Sequence, residues 1–230
     1  MIKSKTNGEL IIISGTTCAG KGTVIKELLK RNKDLCVSIS CTSRPKRDNE
    51  IDGKDYYFLT REEFEKKIKN NEFLEYAKVQ YGEYYGTPKA GVKKLLEEGK
   101  NVILEIDVEG AKQIKKMFPE TVLIFIMAPS MEEVKRRIKA RGKETPEQII
   151  KRFKKAYQEI NEINEYNYVV VNDEVDNAVH KIESILTSVK CRVDRIEDVS
   201  VENEEEIIHE FLIGSKFDNK PFNLDNTKTE

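Results

Sequence analysis

The sequence predicts an α/β fold, a parallel sheet covered by helices on both faces. Three observations carry this expectation. Leu10 to Ile13 and Val122 to Ile126 are short continuous apolar runs, and Val102 to Ile106 is another, broken only by Glu105. Runs of that length between turn residues suit strands buried on both faces. Segments with helical apolar spacing lie between or after them, and such alternation argues for parallel strands joined by crossover helices. A length of 230 residues suits one such domain with small mobile parts better than two independent ones.

The elements follow in order. Leu10 to Ile13 opens into a glycine-bearing loop, and Thr23 to Arg31 repeats apolar residues at Val24, Leu28 and Leu29 as a helix does. Residues 36–87 read as an inserted, more exposed subdomain. There Cys36 to Ser40 alternates like a strand, and Thr60 to Glu63 is a capping box that starts a short helix. Tyr56 to Leu59 and Phe73 to Val79 complete a small sheet. The core resumes with a helix over 88–98, the strand from Val102, a helix over 109–117 and the strand from Val122. Two capping signals then mark a second insert, a helical lid over 129–153. Ser130 to Glu133 starts one of its helices, and Thr145 to Gln148 starts the next, with Pro146 at the first helical position. Arg141, Gly142 and Lys143 form the turn between them. The strand Tyr168 to Val171 and a helix over 175–188 close the core, which is expected to comprise 1–35, 88–128 and 154–190. Residues 191–230 read as a partly disordered C-terminal extension, with an acidic stretch from Glu202 to Glu206 and a short helix near Ile207 to Ile213.

Composition excludes several classes of function. Hydrophobic residues make up 38% and charged residues 35%, enough for a core and against disorder throughout. A formal net charge of −1 supplies no global basic field, so nucleic acid is not an expected partner. Cys18, Cys36, Cys41 and Cys191, with His180 and His209, complete no zinc pattern. Sparse cysteine suggests a reducing compartment. Met1 to Glu9 is polar and lacks the apolar stretch of a signal peptide. No run approaches the ~20 apolar residues that span a bilayer. The expectation is a cytoplasmic chain with no membrane partner. The oligomeric state stays open, with a homodimer among the assemblies compatible with the sequence.

Gly15-Thr16-Thr17-Cys18-Ala19-Gly20-Lys21 matches the pattern G-x-x-x-x-G-K, after a buried strand and before a helix. In that setting successive main-chain N–H groups cradle phosphates, the helix N-terminus adds a favourable dipole, and the lysine reaches the β- and γ-phosphates. The usual next residue is Ser or Thr, which holds Mg2+; here it is Gly22, followed by Thr23. The bland alternative is a glycine turn between strand and helix. The loop alone does not separate kinases from ATPases and GTPases.

The residues that follow are more specific. Ser38 to Arg47, Asp52 to Phe58, Asn71 to Ala77, Tyr84 to Thr87, Leu104 to Ala111, Arg137 with Arg141-Gly142, and Val171 to Asp173 occur in the order and spacing of the guanylate kinase family. The chain resembles that family over about residues 9–188. The resemblance implies a P-loop kinase core with a GMP-binding subdomain and a lid. It also implies transfer of the γ-phosphoryl group of ATP to GMP or dGMP, with Mg2+ accompanying ATP.

Carried over residue by residue, the resemblance assigns the acceptor phosphate to Arg44, Arg47, Tyr56 and Tyr85. Two guanidinium forks and two phenols suit a dianion. It assigns guanine to Glu75, Ser40, Thr87 and Glu105, the last with Asp in some members. A carboxylate can accept from both N1–H and the exocyclic amine of guanine, and adenine offers neither donor there. Asp107 ends a strand where α/β sheets place ligands and could order Mg2+ or its waters, or simply cap a helix. Arg137, Arg141 and Arg152 match lid arginines that meet the ATP phosphates, and Asn172 matches the segment near adenine. Taken alone, Arg44 and Arg47 read as a solvated pair and the tyrosines as strand packing. Two rivals remain. One is a protein-binding module of guanylate-kinase type, which typically loses the phosphate loop. The other is a related kinase with another acceptor, which should lack the guanine-reading set.

Overall fold

The structure, a computed structural model, describes residues 2–4, 8–78, 82–140, 145–193 and 196–199. The chain divides into two compact units, Met1–Lys5 with Cys191–Glu230, and Thr6–Lys190. In the first unit β1 (Ile2–Ser4) pairs antiparallel with β11 (Ile196–Val199), Ile2 opposite Val199. The acidic stretch and short helix expected after residue 200 lie outside the described residues.

The second unit is built on five parallel strands. They are β2 (Leu10–Gly15), β3 (Leu35–Val37), β8 (Asn101–Glu105), β9 (Val122–Met127) and β10 (Tyr168–Val171), in the order β10-β9-β2-β8-β3. Side-chain alternation sorts their apolar residues between two helical layers. Ile11, Ile13, Ile103, Ile124 and Ile126 cluster with Val24 and Leu28 of α1 (Lys21–Arg31) and Val179 and Ile182 of α7 (Val175–Lys190). Ile12, Val102, Leu104 and Leu123 cluster with Val92 of α3 (Lys89–Glu97) and Ala111 and Ile114 of α4 (Val108–Met117). Each Val, Leu or Ile side chain among them stabilises the fold by about 1.5–3 kcal/mol relative to exposure.

A second sheet holds β4 (Cys41–Thr42), β5 (Tyr57–Phe58), β6 (Phe73–Lys78) and β7 (Tyr84–Pro88), in the order β5-β4-β7-β6. α2 (Arg61–Lys69) covers it, started by the expected capping box of Thr60 and Glu63. Phe64 of α2 is fully buried and stacks on Phe73 at 4.5 Å and on Tyr84 at 5.2 Å between ring centroids. Gln113 of α4 ties this sheet to the core, its amide donating to the Tyr76 carbonyl at 3.1 Å.

Cys36 and Val37 depart from expectation. They were expected in the insert, but they pair with β8 in the five-stranded sheet, and Ser38 extends the contact through its N–H to the Ile103 carbonyl at 2.9 Å. β3 is an edge strand and only partly buried, so its alternation reads like that of an exposed sheet.

α5 (Met131–Ala140) and α6 (Pro146–Asn161) follow β9, and a 3-10 turn (Ile163–Glu165) leads to β10. Both anticipated caps are present: Ser130 accepts from the Glu133 N–H, and Thr145 and Gln148 form a reciprocal box. Val134 and Ile138 of α5 cluster with Ala156 and Phe153 of α6, and the Cys18 side chain packs against them. The Arg141 turn lies outside the described residues, as does Val79. Among the described residues no helix is long and apolar enough to cross a membrane.

Candidate active site

Strand β2 lies in the middle of the parallel sheet, so its C-terminal end opens into the crevice where such sheets bind ligands. Gly15 ends it in a conformation that brings the backbone against β9. An added Cβ would meet the Ile126 carbonyl oxygen at 1.9 Å, so only glycine fits. The Thr16 N–H then donates to that carbonyl at 3.0 Å, and the Ala19 N–H to the Thr16 carbonyl at 3.0 Å. Cys18 holds a left-handed φ of 63° and Gly20 one of 85°. The first is strained for a residue with a Cβ, the second natural for glycine. Gly20 caps α1 without a side-chain bond; the Thr23 N–H reaches back to the Gly20 carbonyl at 3.1 Å, and the amides of Lys21 and Gly22 precede the first intrahelical bond. Lys21 curls back, its Nζ 3.1 Å from the Gly15 carbonyl.

Side chains from distant elements brace this loop. The Asn172 amide, after β10, donates to the Ala19 carbonyl at 2.7 Å, and Arg137 of α5 donates to the same carbonyl at 3.1 Å. Arg137 also donates to the Asn172 carbonyl at 3.0 Å and to Glu133 at 2.7 Å. Arg136 and Arg137 together hold the Glu133 carboxyl down at about 2. Glu159 of α6 is buried, and one of its oxygens accepts from the Thr17 N–H at 2.7 Å and from the Thr17 hydroxyl at 3.1 Å. Arg152 is half-buried on α6.

Beside the loop lies a cleft of about 210 Å³ bordered by Ser40, Tyr56, Glu75, Tyr85, Glu105 and Asp107. Glu75 is its buried centre. Thr87 donates its hydroxyl to Glu75 at 2.6 Å. Desolvation pushes the Glu75 carboxyl up to about 7; the Thr87 bond pulls it down, and Asp107 nearby adds to the rise. Asp107 caps α4 by accepting from the Gly110 N–H at 3.0 Å. Gly110 leaves room for Glu75, because a Cβ there would sit 2.7 Å from Glu75 Oε2. Glu105 is reachable by solvent from the cleft mouth but walled by protein elsewhere; that desolvation raises its carboxyl, and Lys21 partly offsets the rise. Its Oε1 lies 3.9 Å from where a Cβ of Gly22 would be, so the loop and the cleft meet at Glu105. A larger cleft of about 520 Å³ runs along α4 near Lys112 and Lys116, but it contains none of these groups.

At the cleft edge Arg44 donates to both oxygens of Glu50, at 2.7 and 2.6 Å, and to the Tyr85 hydroxyl at 2.9 Å. Its guanidinium lies 5.1 Å from the centre of the Tyr56 ring. Arg44 draws the Glu50 carboxyl down to about 2. Glu50 thus occupies the fork that a phosphate would use.

The structure therefore brings together Gly15 to Thr23, Ser40, Arg44, Tyr56, Glu75, Tyr85, Thr87, Glu105, Asp107, Arg137 and Asn172 around one crevice. Three positions differ from the simple expectation. Thr87 is fully buried and holds Glu75 rather than lining the cleft. Asn172 is buried against the loop. The Arg47 side chain is 70% exposed and 4.0 Å from Glu50, outside the assembled set. Arg141 lies outside the described residues. Sequence reasoning missed Glu50, Gly110 and Glu159. Each is defined by a contact across the fold, and only the proximity of Glu50 to two expected arginines hinted at a role.

The guanylate kinase family model matches residues 7–189. A guanylate kinase of Clostridium tetani is 58% identical over 205 residues, covering 89% of this chain and 98% of that protein. One of Clostridium perfringens is 54% identical over 211 residues, covering 92% and 97%. The crystal structure of guanylate kinase from Anaplasma phagocytophilum superposes with a TM-score of 0.70 at 33% identity, covering 92% of this chain and 98% of that one.

Proposed function

The chain belongs to the guanylate kinase family, and from that premise we propose that it transfers the γ-phosphoryl group of ATP to GMP or dGMP, giving ADP and GDP or dGDP. One observation carries the reading to this chain's own residues. A phosphate loop and a cleft centred on a buried carboxylate share a wall at Glu105. A donor phosphate on the loop and an acceptor in the cleft would face each other there. Phosphoryl transfer needs such positioning and charge neutralisation more than covalent help.

The loop amides and Lys21 would hold the β- and γ-phosphates. Arg137, already on the loop, would add positive charge to the donor side, with Arg141 and Arg152 completing the set. Arg44, Tyr56 and Tyr85 would orient the acceptor phosphate as it displaces Glu50, and Arg47 would swing in from solvent. Glu75, ionised and held by Thr87, would accept from N1–H and the exocyclic amine of guanine, with Ser40 beside it. No strong general base is required, because the acceptor oxygen is already anionic. Closure of the four-stranded sheet with α2, and of α5, over the crevice would exclude water and suppress ATP hydrolysis. We place the reaction in the cytoplasm.

Mg2+ arriving with ATP fits the residues present. Gly22 offers no hydroxyl, but Glu105 reaches toward the space where a side chain at that position would start, and Asp107 lines the same cleft. Mg2+ commonly takes one or two carboxylates together with substrate phosphates and waters. When bound it would neutralise charge on the transferring group.

The deciding experiment is an acceptor screen of the purified chain with ATP and GMP, dGMP, AMP, CMP or UMP, with and without a chelator. Turnover confined to GMP and dGMP and lost on chelation is expected. Preference for another acceptor would support a related kinase. ATP and GMP binding without turnover would support a binding module.

A further inference from the structure

A buried carboxylate is costly unless hydrogen bonds satisfy it. Glu159 is 8% exposed, and the phosphate loop satisfies it: one oxygen takes both the main-chain N–H and the hydroxyl of Thr17. The other oxygen lies 3.8 Å from Lys155, one turn earlier on α6. Thr17 stands between Thr16, which is tied to β9, and Cys18, whose left-handed backbone turns the loop toward α1. The bond therefore fixes the outer bend of the loop on α6. Arg152 lies about two helical turns before Glu159 and so on the same face of α6. The Cys18 side chain packs in the apolar cluster of α5 and α6, next to Phe153. One helix thus carries a loop anchor near its C-terminal end and a candidate phosphate-binding arginine at its middle.

We infer that Glu159 is a positioning residue for phosphoryl transfer. Its carboxylate sets the shape of the phosphate loop and the register of α6, and with it Arg152, through Thr17. The inference rests on the reading that residues 15–21 hold ATP. It needs an acceptor at position 159 more than a charge, because the two bonds to Thr17 are donated by the loop.

Three variants test this: Glu159→Ala, Glu159→Gln and Thr17→Val. Ala removes both bonds, Gln retains an acceptor oxygen, and Val retains the main-chain bond. The readouts are kcat, KM for ATP and KM for GMP, measured well below each variant's Tm, together with hydrogen exchange of the loop in the ligand-free chain. Glu159→Ala is expected to raise KM for ATP about tenfold, as the loss of a charged hydrogen bond implies. It should lower kcat by up to about 10²-fold, as small misplacements do, speed exchange over the loop and leave KM for GMP unchanged. Glu159→Gln should recover most of both losses, and Thr17→Val should fall between. A lower Tm with unchanged kcat, KM for ATP and loop exchange would make Glu159 a structural residue only and overturn the inference. Equal effects on both substrates would do the same. The exchange comparison needs no substrate. A wild-type chain inactive on GMP would therefore overturn the proposed function, while the Glu159–Thr17 anchor is still judged by exchange.

Discussion

At Glu75 the demands of folding and of the proposed recognition of guanine oppose each other. Burial raises its carboxyl from 4.5 to about 7, so the folded chain keeps a proton there that the unfolded chain has released. The unfolded state binds fewer protons across that window, and this group makes stability fall as pH rises through it, by on the order of 3 kcal/mol. Guanine, however, needs the ionised form, which offers two acceptors to its two donors. We predict that kcat/KM for GMP climbs with pH to about 7 and then levels, while KM for ATP stays flat; an identical profile for both substrates would remove Glu75 as the cause. Glu75→Gln is expected to raise Tm at about pH 8, since it removes the buried charge. It should lower kcat/KM for GMP by as much as roughly 10⁴-fold, because the new amide donor faces a guanine donor. Calorimetry and steady-state kinetics on the one variant check both signs. Lys21→Met is a different case. Among the described residues its amine bonds the Gly15 carbonyl, so the variant should fold normally and lose turnover by orders of magnitude. Near-normal turnover would sink the kinase reading.

Helix α4 shows how an element sets a side chain it does not carry. Asp107 caps its first turn, and Gly110 at that turn leaves the space that Glu75 fills. Gly110→Ala should favour the helix by up to about 1 kcal/mol. Its Cβ would nevertheless meet Glu75 Oε2 at 2.7 Å and Cδ at 3.2 Å. Glu75 is held by Thr87 and enclosed, so it has to shift. The expected result is an unchanged or higher Tm with kcat/KM for GMP lowered about tenfold or more; unaltered GMP kinetics would mean that Glu75 yields without consequence. Elements of this kind were readable in advance to different degrees. Strands β2, β8, β9 and β10 announce themselves because burial on both faces demands apolar runs, and the boxes at Thr60 and Thr145 mark helix starts by local chemistry alone. β3 reads in the sequence as part of the insert because an edge strand shares its alternation with an exposed sheet. The loop and Glu75 were legible as motifs. The Thr87 hydroxyl on Glu75, the Glu50 fork on Arg44 and the Glu159 anchor were not, since each joins residues that only the folded chain brings together.

On the scale of the whole molecule, every described site residue belongs to the unit Thr6–Lys190, and the family match ends at residue 189. The other unit joins the two ends of the chain, with β1 paired to β11. A two-stranded ribbon is at best marginally stable by itself. The sequence after Lys190 is not wholly private to this chain, because the 211 residues aligned with the Clostridium perfringens relative must include part of it. Two consequences compete: the extension serves the site, or it serves something the core does not need. The residues assigned to phosphate and base favour the second, since the braces on the loop and on Glu75 come from β7, α4, α5, α6 and Asn172. Truncation after Arg192 removes β11 and leaves all of these in place. The truncated chain is expected to keep kcat/KM for GMP and for ATP within about twofold, the range of changes that touch no buried feature. Its Tm should fall by no more than about 4 °C, the equivalent of roughly 1 kcal/mol for a chain of this size. A truncated protein that melts normally but loses turnover would place part of the extension in the catalytic cycle, and the KM that rises would tell which substrate it serves.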